Sequence, residues 1–140
     1  MFRTILVPVD LAEIDMARPA LERAAALAGA EGTVRLVYVR SLLPVTYMEF
    51  VPPTFETEQQ DEAEEALAAI AASVPLPPER VSATVRLGSV YNEVLQEADA
   101  TGADLLVVGS HRPTMASYLI GSNASTIVRH ARCSVLVVRP

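Results

Sequence analysis

Apolar residues recur along this chain in two rhythms that take turns. Five short runs, residues 4–9, 33–39, 81–87, 104–109 and 134–139, are rich in Val, Leu and Ile. Runs of this kind predict β-strands, and unbroken ones predict strands buried on both faces. Between them the apolar positions follow helical spacing. In residues 15–29 they are Ala17, Leu21, Ala24, Ala25 and Ala28, with Gly29 placed to cap the end. In residues 56–74 they are Ala63, Leu67, Ile70 and Val74. In residues 89–101 they are Val90, Val94, Leu95 and Ala98, with Ser89 placed as N-cap and Gly102 as the stop. In residues 122–131 they are Ala124, Ile127, Val128 and Ala131.

Strand and helix therefore alternate, which predicts one α/β domain over residues 1–140. Its architecture is an open parallel five-stranded sheet with right-handed crossovers and helices on both faces. Residues 81–87 place Val81, Ala83, Val85 and Leu87 on one side and Ser82, Thr84 and Arg86 on the other, as suits a sheet edge. The first and fourth runs are apolar throughout and suit the middle. The strand order is then 3-2-1-4-5. That order reverses between strands one and four, and a ligand crevice lies at such a switch point, beyond the strands' carboxyl ends. Residues 7–10 and 109–123 meet there.

Two other segments stand out. Residues 40–55 carry Pro44, Pro52 and Pro53 with Tyr47, Phe50 and Phe55. That is long for a connection and predicts a lid or binding loop. Residues 56–65 hold six acids, read as a solvated helix face with negative charge near its N-terminus.

Composition narrows the chemistry. The chain has 11 basic and 17 acidic residues, net −6, and every basic residue is arginine. Without lysine there is no Walker A loop and no lysine Schiff base. A single cysteine, Cys133, excludes an intrachain disulfide, a Cys-x-x-Cys pair and a multi-cysteine zinc site. His111 and His130 alone argue against a transition-metal centre. The acidic balance argues against non-specific nucleic-acid binding. No apolar stretch approaches the roughly 20 residues of a membrane span, and the run at residues 5–9 is too short for a signal-peptide core. A cytoplasmic protein with no membrane partner is expected. The charge is uneven, however. Residues 105–140 carry Arg112, Arg129, Arg132 and Arg139 and no acid. Helix C-termini account for Arg129 and Arg132 but not for Arg112, so an anion site is expected near Arg112.

The candidate chemistry gathers at the switch point. Gly109 ends the fourth strand, and Gly121 and Ser122 open the last helix. A helix N-terminus offers free N–H groups to phosphate, and glycine lets backbone approach a ligand. Ser122 and Asn123 can cap that helix or donate to phosphate oxygens. Asp10 follows Val7-Pro8-Val9 at the end of strand one. An acid there can accept hydrogen bonds from ribose hydroxyls, or serve as a turn acid before the first helix. Ser110, His111 and Asp10 also compose a hydrolase-like set, but no nucleophile elbow surrounds the serine.

These residues resemble the universal stress protein family over nearly the whole chain. The resemblance is carried by Thr4-Ile5-Leu6-Val7-Pro8-Val9-Asp10, Val37-Tyr38-Val39 and Leu105-Leu106-Val107-Val108-Gly109-Ser110-His111. It continues in Gly121-Ser122-Asn123-Ala124 and in Val128-Arg129-His130-Ala131-Arg132-Cys133-Ser134-Val135-Leu136-Val137-Val138. Ser110-His111-Arg112-Pro113 and Leu119-Ile120-Gly121-Ser122-Asn123 look most like the F/G-type branch. The resemblance implies a Rossmann-like, adenine nucleotide alpha hydrolase-like domain that binds ATP or AMP, usually as a homodimer, and acts in stress survival. Whether Mg2+ or Mn2+ accompanies the phosphates stays open.

Nucleotide-binding members carry Gly-x2-Gly-x9-Gly-[Ser/Thr]. By this resemblance the Gly109 backbone approaches the ribose, and Gly121 and Ser122 hold phosphates, flanked by Ser110, His111 and Asn123. Asp10 matches the acid at the adenosine end, Val39 the valine whose backbone meets adenine, and Pro8 and Val9 line the same pocket. The chain departs from the motif where Arg112 replaces the second glycine, with eight residues between it and Gly121. Arg112 can grip phosphates in bidentate fashion, or obstruct the β and γ positions and leave room only for AMP. Three alternatives stand beside nucleotide binding: a slow ATPase or nucleotidyl transferase, a dimeric interaction module that has lost nucleotide binding, and a flavodoxin-like electron carrier. A homodimer has its own argument. Val135, Leu136, Val137 and Val138 form an apolar strand at a sheet edge, which invites pairing.

Overall fold

The computed structural model describes residues 2–41, 52–110 and 122–139. Strands β1 (Thr4–Pro8), β2 (Thr33–Arg40), β3 (Val81–Leu87), β4 (Leu105–Gly109) and β5 (Ser134–Val138) alternate with helices α1 (Ile14–Ala28), α2 (Phe55–Ala72), α3 (Val90–Thr101) and α4 (Ser122–His130). A short 3-10 turn, Pro78–Arg80, leads into β3. Every pairing is parallel, and the order is β3-β2-β1-β4-β5, as the periodicity predicts.

Side-chain alternation builds a core on each face of this sheet. Ile5 and Val7 of β1 face α1 and α2, and Leu6 faces α3 and α4; all three have no exposed surface. The unbroken apolar run of β4, Leu105 to Val108, is likewise buried on both sides. The alanine-rich stripe of α1 (Ala17, Ala20, Ala24, Ala28) brings that helix close to the sheet. The six acids at residues 56–65 all lie on the exposed side of α2, opposite Ala63, Leu67 and Ile70.

Several boundaries differ from the sequence expectation, each for a local reason. β2 runs on to Arg40, whose guanidinium is anchored to α2 by Gln60 Oε1 (3.0 Å) and Glu56 Oε2 (2.8 Å). α2 stops at Ala72, where the Ser73 hydroxyl donates to the Ile70 carbonyl at 2.6 Å. Asp104 is not a strand residue. Its carboxylate accepts the Arg3 and Thr4 N–H groups, each at 2.9 Å, and so clasps the start of β1. Val128 is 43% exposed although its neighbour Ile127 is 2% exposed, so the buried stripe of α4 is narrower than its sequence suggests. Ser89 takes the N-cap position of α3 without a side-chain bond, and Gly102 ends that helix in the left-handed conformation. Most of the segment expected to form a lid, residues 42–51, lies outside the described residues.

Candidate functional site

At the switch point between β1 and β4 the carboxyl edge of the sheet opens into a cleft of about 310 Å³. The strand ends form its floor through Pro8, Val9, Val37, Val39, Val108 and Gly109. Val90 and Val94 of α3 make one wall, and Asn123, Ala124 and Ile127 of α4 make the other. The α3 residues are read from sequence only as a core-facing stripe. Their second role follows from α3 overhanging the strand ends, which periodicity alone does not report.

The expected site residues reach this cleft in different ways. Val39 is 8% exposed and packs with Val37 and Val94 on the α3 side. Val9 turns its side chain into the core beneath α1, so it meets the cleft through its backbone. Its N–H donates to the Val37 carbonyl at 2.8 Å and extends the β1–β2 ladder past Pro8. Asp10 is exposed at the mouth of the cleft and is also a turn acid. Its Oδ1 accepts the Ala12 N–H at 2.9 Å, and its carbonyl accepts the Glu13 N–H at 3.0 Å. These bonds establish the turn-acid reading, and the turn fixes the direction in which the carboxylate points.

Gly109 lines the cleft by its backbone, but its missing Cβ matters on the other face. A Cβ there would come within 3.1 Å of the Met16 carbonyl of α1. The glycine lets the first turn of α1 close on the end of β4. Ser110 continues the ladder, its N–H donating to the Val138 carbonyl at 2.9 Å. It is 4% exposed, and its Oγ has no hydrogen-bond partner among the described residues. Asn123 sits exposed in the first turn of α4. Ser122 begins that helix, while His111, Arg112 and Gly121 lie outside the described residues.

A slot of this kind has apolar walls, a carboxylate at one end and a helix N-terminus at the other. It suits a ligand with a flat apolar body, hydroxyl donors and an anionic group. Among the described residues, no group of three or more His, Cys, Asp or Glu side chains is placed to hold a metal ion. Among them too, no helix is long and apolar enough to cross a membrane.

Comparison with known proteins decides the family. The chain matches the Universal stress protein family over residues 1–139. The chain belongs to the universal stress protein family. It is 38% identical to Universal stress protein G of Escherichia coli O157:H7, covering 99% of this chain and 100% of that one. Such a relative agrees with the F/G-type motifs. A universal stress protein solved in complex with cAMP superposes with a TM-score of 0.70 at 22% identity, covering 98% of this chain and 97% of that one. The universal stress protein of Archaeoglobus fulgidus, solved in complex with dAMP, superposes with a TM-score of 0.63 at 23% identity, covering 96% of each chain.

Within this universal stress protein domain the basic third of the sequence divides. Arg129 and His130 occupy the last turn of α4, about 10 Å along the axis from its first turn. Arg132 precedes β5, whose first residue pairs with the start of β4, so it lies at the opposite edge of the sheet from the cleft. Of the four arginines, only Arg139 among the described residues follows a strand on the cleft side.

A second charged cluster escaped the sequence reading altogether. Glu97 of α3 is 5% exposed and bridges two arginines on the sheet. Its Oε2 accepts Arg35 Nε and its Oε1 accepts Arg86 Nη1, both at 2.7 Å. Arg86 Nε also reaches Glu93 Oε1 at 2.9 Å, and Arg35 Nη1 reaches Ser82 Oγ at 3.0 Å. Burial alone would push the Glu97 carboxyl up. The hydrogen bonds and charges of Arg35 and Arg86 outweigh it and hold the group below its usual range.

Proposed function

We propose that this universal stress protein binds an adenine nucleotide, ATP or AMP, in the cleft between β1 and β4. Adenosine sits between Asp10 and Val39, with ribose hydroxyls donating to the Asp10 carboxylate. The phosphates lie toward Gly109 and the first turn of α4, with Gly121, Ser122, Asn123 and Arg112 as their donors. One observation carries the reading: the cleft pairs an apolar slot and an oriented carboxylate with the start of α4 at a topological switch point. Its volume lies at the small end of the ligand-pocket range, roughly 300–1,000 Å³. The relatives solved with cAMP and dAMP support an adenine nucleotide as the ligand class. We extend the proposal to a homodimer through β5 and to the cytoplasm. The single cysteine, Cys133, fits a reducing compartment.

Calorimetric titration with AMP and ATP tests this directly. Binding by wild type, lost in Asp10→Ala and in Gly121→Asp, is expected. Wild-type protein that takes up neither nucleotide would remove the proposal.

A further inference from the structure

The Arg86 cluster stands beside the proposed site, and nothing in that reading uses it. In the β2–β3 register Arg86 is the direct partner of Val39, the valine at the adenosine end of the cleft. From there its guanidinium reaches three side chains of α3: Glu93 at 2.9 Å, Glu97 at 2.7 Å and Gln96 at 3.3 Å. These share one face of the helix, being three and four positions apart. Glu93 lies between Val90 and Val94, the two α3 residues that wall the cleft. The path from floor to wall thus runs Val39, Arg86, Glu93, Val94. Gly88 completes it. This residue has φ +149°, and a Cβ on it would come within 3.0 Å of the Glu93 carboxylate, so the turn from β3 into α3 is shaped around that acid.

Arg35 shares Glu97 but not this position. It lies four residues before Val39 on β2, roughly 13 Å back along the strand from the cleft. One carboxylate therefore joins an arginine beside the cleft to an arginine far from it.

We infer that Arg86 is a positioning residue for the cleft: by holding Glu93 and Glu97 together it sets how far the start of α3 stands from Val39, and so the width of the slot that takes the base. The inference rests on the nucleotide reading for its ligand but not for its mechanics. Arg86 touches no part of the proposed nucleotide. Its planar fork engages two carboxylates at once, which a lysine ammonium does not reproduce.

The test compares Arg86→Lys, Glu93→Gln and Arg35→Lys by AMP titration, unliganded melting temperature and amide exchange of α3. Arg86→Lys and Glu93→Gln are expected to weaken AMP binding about fivefold, the scale of one ordinary hydrogen bond. They should also speed exchange at Val94 and Leu95. Arg35→Lys should also lower the melting temperature, through Glu97, while leaving AMP affinity and that exchange unchanged. Affinity that tracks melting temperature equally in all three variants would reduce Arg86 to a stabilising residue and overturn the inference. So would unchanged binding in Arg86→Lys and Glu93→Gln. If wild type binds neither AMP nor ATP, the nucleotide reading fails. The exchange data alone then decide: faster exchange in Arg86→Lys but not in Arg35→Lys upholds the positioning role, and unchanged exchange removes it.

Discussion

At one edge of the sheet β3 turns Arg86 toward Glu93, Gln96 and Glu97 of α3, and Ser82 toward Arg35 of β2, which also donates to Glu97. At the other edge β5 presents Val135, Leu136, Val137 and Val138, each half-buried, with only β4 beside it among the described residues. An edge strand carries unpaired N–H and C=O groups, and charge is one way to discourage a second strand from joining. Among the described residues the β3 edge has that protection and the β5 edge does not. The difference separates the two edges: β3 is tied inward to its own helix, and β5 is the edge through which we propose the homodimer.

The strongest way to break this contrast is Glu97→Ala. It leaves Arg35 and Arg86 half-buried without their shared acid, and it should cost about 3 kcal/mol in urea denaturation. A loss under about 1 kcal/mol would mean that β3 is held mainly by its apolar contacts.

Acid should act on the same edge. The folded state depresses the Glu97 carboxyl, so the stabilisation is complete above the ordinary carboxylate range and is lost as pH falls through the lower folded value. Asp104 behaves alike. Burial would raise its carboxyl, but the Arg3 and Thr4 N–H groups outweigh that and lower it. Melting temperature should fall from pH 7 to 3, about, less steeply in Glu97→Gln than in wild type. Amides of β3 should lose exchange protection before those of β5; the reverse order would contradict the contrast.

Val137→Pro sharpens the other side. The Val138 carbonyl accepts the Ser110 N–H, so Val138 directs its backbone groups toward β4 and Val137 directs its own outward. Proline at 137 removes an outward N–H and spares the β4 ladder, a change that edge strands tolerate. If β5 forms the proposed homodimer, sedimentation should show a wild-type dimer and a monomeric variant, with fold stability lowered by no more than about 1 kcal/mol. Dimers that persist would move the interface elsewhere. The smallest effect belongs to Ser82→Ala, which loses one exposed contact to Arg35 and should change stability by less than about 0.5 kcal/mol.

How much of this was legible beforehand follows from how local each signal is. The runs around Leu6 and Val107 announced central strands because burial on both faces needs unbroken apolar sequence. The alternation from Val81 to Leu87 announced an edge, which β3 occupies, and Ser82 on its polar side is exposed. The contact of Arg86 on that side with Glu97 was not legible. Nothing near Glu97 in the chain marks it as buried, because its partners lie 62 and 11 residues away on two strands. An acid one position from Ala98 on a buried stripe, with arginines on the polar sides of two strands, is the only trace such a cluster leaves. At the site, Asp10 and Val39 were found by motif, whereas Val90 and Val94 became cleft residues only through the crossover that carries α3 over the strand ends. Gly109 was assigned to the ligand, and its close approach to Met16 depends on helix packing that no local pattern encodes.

The central strand also sets a timetable for synthesis. β1 can pair with β2 once about 40 residues have emerged, but its other side waits for Leu105 and Leu106, 100 residues after Ile5 and Leu6. Until then a growing chain holds a half-sheet whose most apolar strand has one side unpaired. An unpaired apolar strand of that kind leaves the growing chain open to aggregation until β4 emerges.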